Sequence, residues 1–443
     1  MDEDKFALVE KIIKDIDNVM SKNAELSTFE IVPVDSNFRN KSPVLHLENY
    51  LGLESWCVKH VYMYCYDEVM DKHVAKSKRK YSKPSSFNAE RLTKLLNITL
   101  LLNPELNSLW NKRREMVLKN LLEKSSELQF SKIVLSRKPK CNDAFSYRRW
   151  LLNETWQDDT LESNTLDSLV DEELQICQYT SEACPNNYHS WNHRMWIINT
   201  VKTQFQDYEI LLIKEYVFSL KCTEKHVSDF SCFHYRQFCI KNILAIDDSN
   251  WKIFENIMET NLRKSLAHVL ASNFPKEVTV YASKEDLLSC SEDNLIDLLL
   301  SYSHKSCDCL LNASVTHRIE VLFYELLLNN DLLKFYKFHE TLWYHRRFVV
   351  HEIVQVMYDY SGLVRQNGAL LKKCCQKCHI DDLKQKQAKM VRYDCNQVYS
   401  SILFKVLIYH EKLFVEEQSR EGDNYADRHI KYLKFVEGLN NVM

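Results

Sequence analysis

The sequence predicts an all-α fold, an α-solenoid of helical hairpins, on the basis of three observations. First, a tryptophan or phenylalanine followed three positions later by arginine recurs five times along the chain. Second, the first four aromatic residues, at positions 110, 145, 191 and 233, are 35, 46 and 42 residues apart, which fits one helix pair per repeat. Third, the 443 residues include only 5 glycines and 7 prolines, too few for the tight turns of a β-rich fold.

Residues 1–85 are predicted to form an N-terminal extension that contains a helix and one short extended segment. The stretch Phe29-Glu30-Ile31-Val32-Pro33-Val34 has the only strand-like alternation that we identify in the sequence. Proline cannot donate a hydrogen bond to a sheet, so Pro33 restricts this stretch to an edge strand or an extended segment.

Residues 86–264 are predicted to contain repeats one to four, each with its signature at the start of the second helix. The four signature pairs are Trp110 and Arg113, Phe145 and Arg148, Trp191 and Arg194, and Phe233 and Arg236. The first three are preceded, six residues before the aromatic, by Pro104, Pro139 and Pro185, which supply turn chemistry ahead of a helix. The shared unit Pro-x5-aromatic-x2-Arg is much more specific than the aromatic and arginine alone.

The signature residues are assigned a structural role. An aromatic at helical spacing is most often part of the core. The arginine three residues later lies on the same face of the helix, and a buried guanidinium without a partner is very costly. We therefore expect each signature arginine to reach a carboxylate or a carbonyl of a neighbouring helix.

The remainder of the chain is divided into three regions. Residues 265–310 are predicted to be an insertion or a degenerate repeat, because 110 residues separate the fourth aromatic, at position 233, from the fifth, at position 343. Residues 311–360 are predicted to be the fifth repeat, with the signature Trp343 and Arg346. Residues 361–443 are predicted to form a C-terminal helical region.

The third repeat, Asn187-Tyr188-His189-Ser190-Trp191-Asn192-His193-Arg194-Met195-Trp196, resembles the α-subunit repeat of protein farnesyl- and geranylgeranyltransferases. A tetratricopeptide repeat would have leucine where arginine stands here. The resemblance covers roughly residues 89–355 and implies a right-handed, crescent-shaped solenoid that wraps around a separate β-subunit. Within the family, the chain is most similar to an outlying branch of α-subunit repeat-containing proteins.

The resemblance also implies an activity. That branch is similar to the α-subunit of a type III geranylgeranyltransferase, which shares its β-subunit with the Rab geranylgeranyltransferase. Geranylgeranyl diphosphate would be the co-substrate, and proteins with a cysteine near the C-terminus would be the acceptors. The β-subunit would carry the zinc ion and the lipid pocket, so no cofactor is expected on this chain itself.

Residue by residue, the resemblance implies two sets of site residues. Lys140, directly after Pro139, matches a lysine that reaches over the diphosphate as charge develops, which is reasonable chemistry for a leaving anion. Asn187, Tyr188 and His189 match residues that line the interface with the β-subunit near the active site. Taken alone, Lys140 reads as a solvated loop residue and His189 as a core or interface histidine.

One departure leaves a second interpretation open. The family has Asn-Tyr-Gln after the lysine, but this chain has Cys141-Asn142-Asp143, so two residues that face the substrate are absent. We hypothesise that Asp143 prevents recognition of a free CaaX carboxylate at this position. A non-catalytic helical-repeat adaptor derived from the same fold is the alternative function.

Charge and composition exclude several other classes. A formal charge of -3 gives no overall attraction to nucleic acid. The sequence has no apolar run of about 18 residues, which is the length that a membrane-spanning helix needs. The protein is therefore expected to be cytoplasmic and not an integral membrane protein. The cluster Cys374-Cys375-x2-Cys378-His379 lacks a second well-spaced ligand pair. We therefore predict reduced thiols there and no metal site.

Overall fold

The computed structural model of the chain describes residues 3–35, 42–78, 86–156, 163–203, 207–246, 310–374 and 402–438, and the single residues 40, 205, 251, 254 and 269. They fall into two compact units, residues 1–205 and 206–443, and each unit is treated by itself. The prediction of an all-α repeat fold is confirmed. The predicted insertion at 265–310, apart from residues 269 and 310, and the cysteine cluster beyond Cys374 lie outside the described residues.

The N-terminal extension contains more structure than the sequence predicts. Helix α1 (Glu3–Lys22) precedes a three-stranded sheet of β1 (Thr28–Val32), β2 (Val44–Leu47) and β3 (Tyr50–Glu54), and α2 (Ser55–Lys78) follows. The central strand β3 pairs in parallel with β1 and antiparallel with β2. The edge strand β1 ends directly before Pro33, as a proline requires. Strands β2 and β3 were not predicted, because neither shows a sustained alternation of apolar and polar residues.

Three hairpins follow in the first unit. They are formed by α3 (Ser86–Leu102) and α4 (Asn107–Leu118), α5 (Lys124–Arg137) and α6 (Asn142–Trp156), and α7 (Ser163–Ala183) and α8 (Tyr188–Thr200). First helices pack on first helices and second helices on second helices. The hairpins therefore form two layers, as in a repeat protein.

The second unit also contains three described hairpins. They are formed by α9 (Tyr208–Lys225) and α10 (Phe230–Ile243), α11 (Leu310–Phe335) and α12 (Glu340–Cys374), and α13 (Ile402–Arg420) and α14 (Asn424–Gly438). The last of these pairs is a sixth hairpin, within the region that the sequence identifies only as helical. It lacks a tryptophan or phenylalanine three residues before arginine, and has Tyr425 and Arg428 at that spacing instead.

Each signature aromatic is the fourth residue of its helix, in α4, α6, α8, α10 and α12, and each is at most 3% exposed. Two of these helices begin with a side-chain cap. Asn187 accepts a hydrogen bond from the backbone of Ser190, and Asp229 accepts from Ser231 and Cys232. A capped start fixes the first helical turn, so the aromatic enters the core one turn later.

A buried glutamate links the two helices of five hairpins. It lies on the first helix, and its partner is a tyrosine or histidine on the second helix, 20 residues later in four hairpins and 18 in the last. The pairs are Glu127 and Tyr147, Glu173 and His193, Glu215 and Tyr235, Glu325 and His345, and Glu411 and His429. We call these contacts, with the arginines that reach them, the glutamate network.

Signature arginines connect one hairpin to the next through the same glutamates. The ion pairs are Arg113 with Glu127, Arg148 with Glu173, Arg236 with Glu325, and Arg346 with Glu411. In each pair the guanidinium donates from both Nε and Nη2 to the two carboxylate oxygens. Arg194 donates to the carbonyl of Leu174 at 2.8 Å. All five signature arginines thus have buried partners.

The network holds its carboxylates ionised. Burial alone would raise the pKa of Glu173, but the Arg148 guanidinium and the His193 ring outweigh burial and hold the pKa at about 2. Arg236 and His345 likewise hold the pKa of Glu325 at about 2 against the effect of burial. Removing one partner of such a pair leaves a buried charge without compensation, which typically costs about 3–5 kcal/mol.

Candidate functional site

Lys140 lies on the turn between α5 and α6, and its side chain is exposed. The turn is closed by backbone hydrogen bonds from Lys138 to Val134 and from Cys141 to Lys138, each 3.0 Å long. The Cys141 side chain is buried behind Lys140 and lies 3.6 Å from the carbonyl oxygen of Pro104. The backbone of the turn is therefore fixed while the lysine ammonium is free to meet a ligand.

Asn187 joins this turn to the next hairpin. Its side-chain amide donates to the carbonyl of Pro139 at 2.7 Å and to that of Thr180 at 3.0 Å, while its side-chain oxygen caps α8 at Ser190. The residue before it, Asn186, has a φ of 54°, a left-handed conformation that asparagine tolerates better than most residues. One fully buried asparagine thus sets the position of the Lys140 turn relative to the start of α8.

Tyr188 and His189 occupy the first turn of α8, directly after Asn187. Tyr188 is 56% exposed, and its ring packs edge-on against His189 with centroids 5.8 Å apart. Burial lowers the pKa of His189, and the positive charges of Arg149 and Lys140 lower it further. The structure therefore brings together the two sets of site residues that the sequence proposes, and adds Arg149 of α6 to them.

Asp143 lies in the first turn of α6, three residues after Lys140. Burial raises the pKa of this carboxyl, the charge of Arg114 opposes that rise, and the charge of Glu105 adds to it. Arg114 also lies over the rings of Tyr147 and Trp150, at 5.5 and 5.8 Å from their centroids. The acidic side chain that replaces the family's glutamine is thus balanced in part by an arginine of the preceding hairpin.

Two further properties of the described segments bear on the site. No group of three or more histidine, cysteine, aspartate or glutamate side chains there has the arrangement needed to hold a metal ion. Among the helices of the same segments, none is both long enough and apolar enough to span a membrane.

Sequence reasoning missed the glutamates of the network and Arg149. A signal for the glutamates exists, since Glu127, Glu173, Glu215 and Glu325 each precede the tyrosine or histidine of the signature by 20 residues. Arg149 directly follows a signature arginine, and arginine also follows in the first and fifth repeats.

Comparison with known proteins is consistent with this repeat structure. Residues 125–155, 170–201 and 212–243 match the model of the protein prenyltransferase alpha subunit repeat. These segments correspond to the hairpins α5–α6, α7–α8 and α9–α10. The Lys140 turn and Asn187 both fall within matched segments.

Two relatives carry the same description, and a third is a geranylgeranyl transferase subunit. Human protein prenyltransferase alpha subunit repeat-containing protein 1 is 28% identical over 361 residues, which cover 79% of this chain and 79% of the relative. The Xenopus laevis protein 1-B of that name is 28% identical over 366 residues, covering 80% of this chain and 74% of the relative. The Candida albicans geranylgeranyl transferase type-2 subunit alpha is 24% identical over 225 residues, 45% of this chain and 58% of the relative.

Proposed function

We propose that this chain, three of whose hairpins match the protein prenyltransferase alpha subunit repeat, is the α-subunit of a heterodimeric protein geranylgeranyltransferase. The heterodimer would transfer a geranylgeranyl group from its diphosphate to a cysteine of a protein substrate. The similarity to a geranylgeranyl transferase type-2 subunit alpha supports the choice of lipid.

The observation that carries the proposal is the arrangement around Lys140. An exposed lysine stands on a turn whose position is fixed by Asn187, and His189 lies within electrostatic reach of it. A cation held at a fixed place on a surface stabilises a developing anion without first reorganising. This is the contribution that an α-subunit would make to the transfer.

In the proposed reaction, the cysteine sulfur attacks C1 of geranylgeranyl diphosphate. A C–S bond forms, the C–O bond to the diphosphate breaks, and the bonding electrons leave with the diphosphate. Lys140 would stabilise that leaving group as its negative charge grows. Zinc in the partner subunit would make the cysteine sulfur a thiolate. We propose the Rab geranylgeranyltransferase β-subunit as that partner. We propose that the two subunits act in the cytoplasm.

The test is reconstitution with that β-subunit. The full chain and the β-subunit are co-expressed and purified, and incorporation of radiolabelled geranylgeranyl is followed, with a cell extract as the source of acceptor proteins. We expect labelling only when both subunits are present. Lys140→Ala should slow incorporation about tenfold to a hundredfold and leave the heterodimer intact.

Lys138→Ala is the matched control, because Lys138 is exposed on the same turn two residues earlier. Its rate should equal that of the unaltered chain. Equal rates for Lys140→Ala and the unaltered chain would remove Lys140 from the mechanism. Failure of the two subunits to associate would contradict the proposed function itself.

The second candidate is a non-catalytic adaptor, and Asp143 is the observation that favours it. A carboxylate three residues from Lys140 opposes the approach of an anion, and the family's glutamine would not. For an adaptor, the chain would be a stable monomer that binds no β-subunit. The reconstitution assay therefore separates the two candidates.

A further inference from the structure

The fourth repeat carries a cysteine on each helix of its hairpin. Cys222 lies on α9, three residues before that helix ends at Lys225, and Cys232 is the third residue of α10. The two helices pack against each other. Cys232 is fully buried and Cys222 is partly exposed, so a solute can reach the pair at Cys222.

The repeat structure shows that these two side chains meet. Two positions recur relative to the glutamate network of each hairpin, seven residues after the glutamate and three residues before its partner. In the third repeat they hold Thr180 and Ser190, whose hydroxyl oxygens are 2.9 Å apart in a hydrogen bond. In the fourth repeat they hold Cys222 and Cys232, which are also hydrogen-bonded to each other. The sulfurs thus meet where the hydroxyls of the preceding repeat meet.

This pair of thiols is specific to the fourth repeat. The same two positions are apolar elsewhere, with Val134 and Ala144 in the second repeat and Leu332 and Leu342 in the fifth. In the part of the chain that the structure describes, no third histidine, cysteine or acidic side chain is grouped with the two thiols as a metal ligand. The pair is therefore a dithiol rather than part of a metal centre.

The two thiols differ in a way that suits a two-step oxidation. The hydrogen bond with Cys222 raises the pKa of Cys232, and burial and the charge of Asp229 raise it further. Cys232 therefore keeps its proton and donates it toward the Cys222 sulfur. A donor at this place favours the thiolate of Cys222, and the thiolate is the form of cysteine that reacts with oxidants.

We propose that Cys222 and Cys232 form a redox-modification site, a dithiol that a peroxide oxidises to a disulfide between α9 and α10. The Cys222 thiolate attacks one oxygen of the peroxide, and the O–O bond breaks to give a sulfenic acid and hydroxide. The Cys232 sulfur then attacks the Cys222 sulfur. An S–S bond forms, the S–O bond breaks, and the proton of Cys232 leaves with that oxygen as water. The peroxide gains the two electrons that the two sulfurs lose.

The disulfide stabilises the hairpin around the α9–α10 turn. It closes a short segment of chain, which restricts the unfolded state more than the folded state. The same turn contacts the next hairpin through Ser228, whose hydroxyl oxygen is 2.8 Å from Nδ1 of His339. Oxidation therefore makes this part of the second unit more resistant to unfolding, and a reductant reverses the change.

The first experiment detects the bond itself. The full, reduced chain is treated with hydrogen peroxide under native conditions, the remaining thiols are alkylated, and the protein is digested with trypsin without reduction. Trypsin cleaves after lysine and arginine, so Cys222 falls in fragment 222–225 and Cys232 in fragment 226–236. Mass spectrometry should show these two fragments joined, and dithiothreitol should separate them.

Two variants decide whether the pairing is specific. Cys222→Ser should abolish the joined fragments. Cys184→Ser is the matched control, because Cys184 is also a partly exposed cysteine, and this variant should leave their yield unchanged. Absence of the joined fragments in the unaltered chain, or their appearance only in urea, would overturn the proposal.

The second experiment measures the effect of the bond on stability. Oxidation should raise the urea unfolding midpoint of the unaltered chain by about 0.5 M or more, and dithiothreitol should reverse the rise. Cys222→Thr combined with Cys232→Ser copies the third repeat, so the reduced double variant should fold like the reduced chain and show no rise on oxidation. An equal rise in the double variant would overturn the assignment of the site to this pair.

Discussion

Arg148 and Arg149 are consecutive residues of α6 in very different surroundings. Arg148 is fully buried, ion-paired with Glu173 and hydrogen-bonded to Ser131 at 2.9 Å. Arg149 is half-buried and has a single long hydrogen bond to Ser146. Consecutive helical residues point about 100° apart, so one faces the neighbouring first helix and the other faces the start of α8.

This difference distinguishes an arginine that stabilises the fold from an arginine that could contact a ligand. A buried cation with a bidentate carboxylate is already satisfied and has nothing left to offer a ligand. Arg149 has no ion pair within the described residues, and it lies outside the glutamate network that holds the repeats together.

Acid should produce the largest effect on stability, because it acts on several network groups at once. The folded pKa of Glu173 and of Glu325 lies at about 2, below the usual value of 4.5, so their stabilisation is complete above pH 4.5 and is lost as pH falls toward 2. Burial also lowers the folded pKa of His193 and His345 below 6.5, so stability should begin to fall below pH 6.5.

Urea unfolding midpoints at pH 7.5, 5.5 and 4 test this, and the midpoint should fall at each step. His193→Tyr copies the tyrosine that stands at the same position in the second and fourth repeats. It should reduce the step between pH 7.5 and 5.5. A midpoint that is constant over the whole range would contradict the role of the network.

Removal of one glutamate should have the next largest effect. Glu173→Gln leaves Arg148 buried without a counter-ion, and we expect a loss of about 3–5 kcal/mol in the free energy of unfolding. Glu172→Gln is the neighbouring control, since Glu172 is partly exposed and pairs with Lys132 near the surface. A similar small change for both variants would show that the buried pair does not stabilise the repeats.

A smaller effect is expected at Tyr147, whose hydroxyl donates to Glu127 at 2.6 Å. Tyr147→Phe removes one hydrogen bond to a buried charge and should cost about 1.5–3 kcal/mol. Tyr188→Phe, at a ring that is 56% exposed, should change stability by less than about 0.5 kcal/mol. Chemical denaturation of both variants provides the comparison, and equal losses would count against the network.

The smallest effect is expected at a surface pair. Lys132 and Glu172 are partly exposed and 3.0 Å apart, so solvent screens their attraction. Lys132→Ala should lower the free energy of unfolding by at most about 1 kcal/mol. A loss as large as that of Glu173→Gln would mean that burial does not decide the strength of these ion pairs.

Much of the fold could be predicted from the sequence because short local sequence patterns specify it. Proline and asparagine at the turns, followed by an aromatic one turn into the helix, identify the start of a second helix from a few consecutive residues. The pattern fails where it is absent. The sixth hairpin has Asp427 two residues before His429, where the other repeats have the signature aromatic, and its contacts with Glu411 reveal it as a repeat.

The site could be predicted only in part, because its geometry depends on contacts between distant residues. Lys140 and His189 were identified from a family pattern, but nothing in the sequence states that Asn187 donates to Pro139, 48 residues earlier. Arg149 was missed because its charge acts on His189 of another helix, and no local pattern shows that contact. Arg236 and its partner Glu325 are 89 residues apart, and no local pattern connects them.

The most direct test of the division between architecture and binding compares the two adjacent arginines. The free energy of unfolding is measured in urea for Arg148→Gln and for Arg149→Gln under identical conditions. Arg148→Gln should lose about 3–5 kcal/mol, and Arg149→Gln should lose less than about 1 kcal/mol. Equal losses would contradict the account, because they would mean that Arg149 is as much a part of the packed repeat as Arg148.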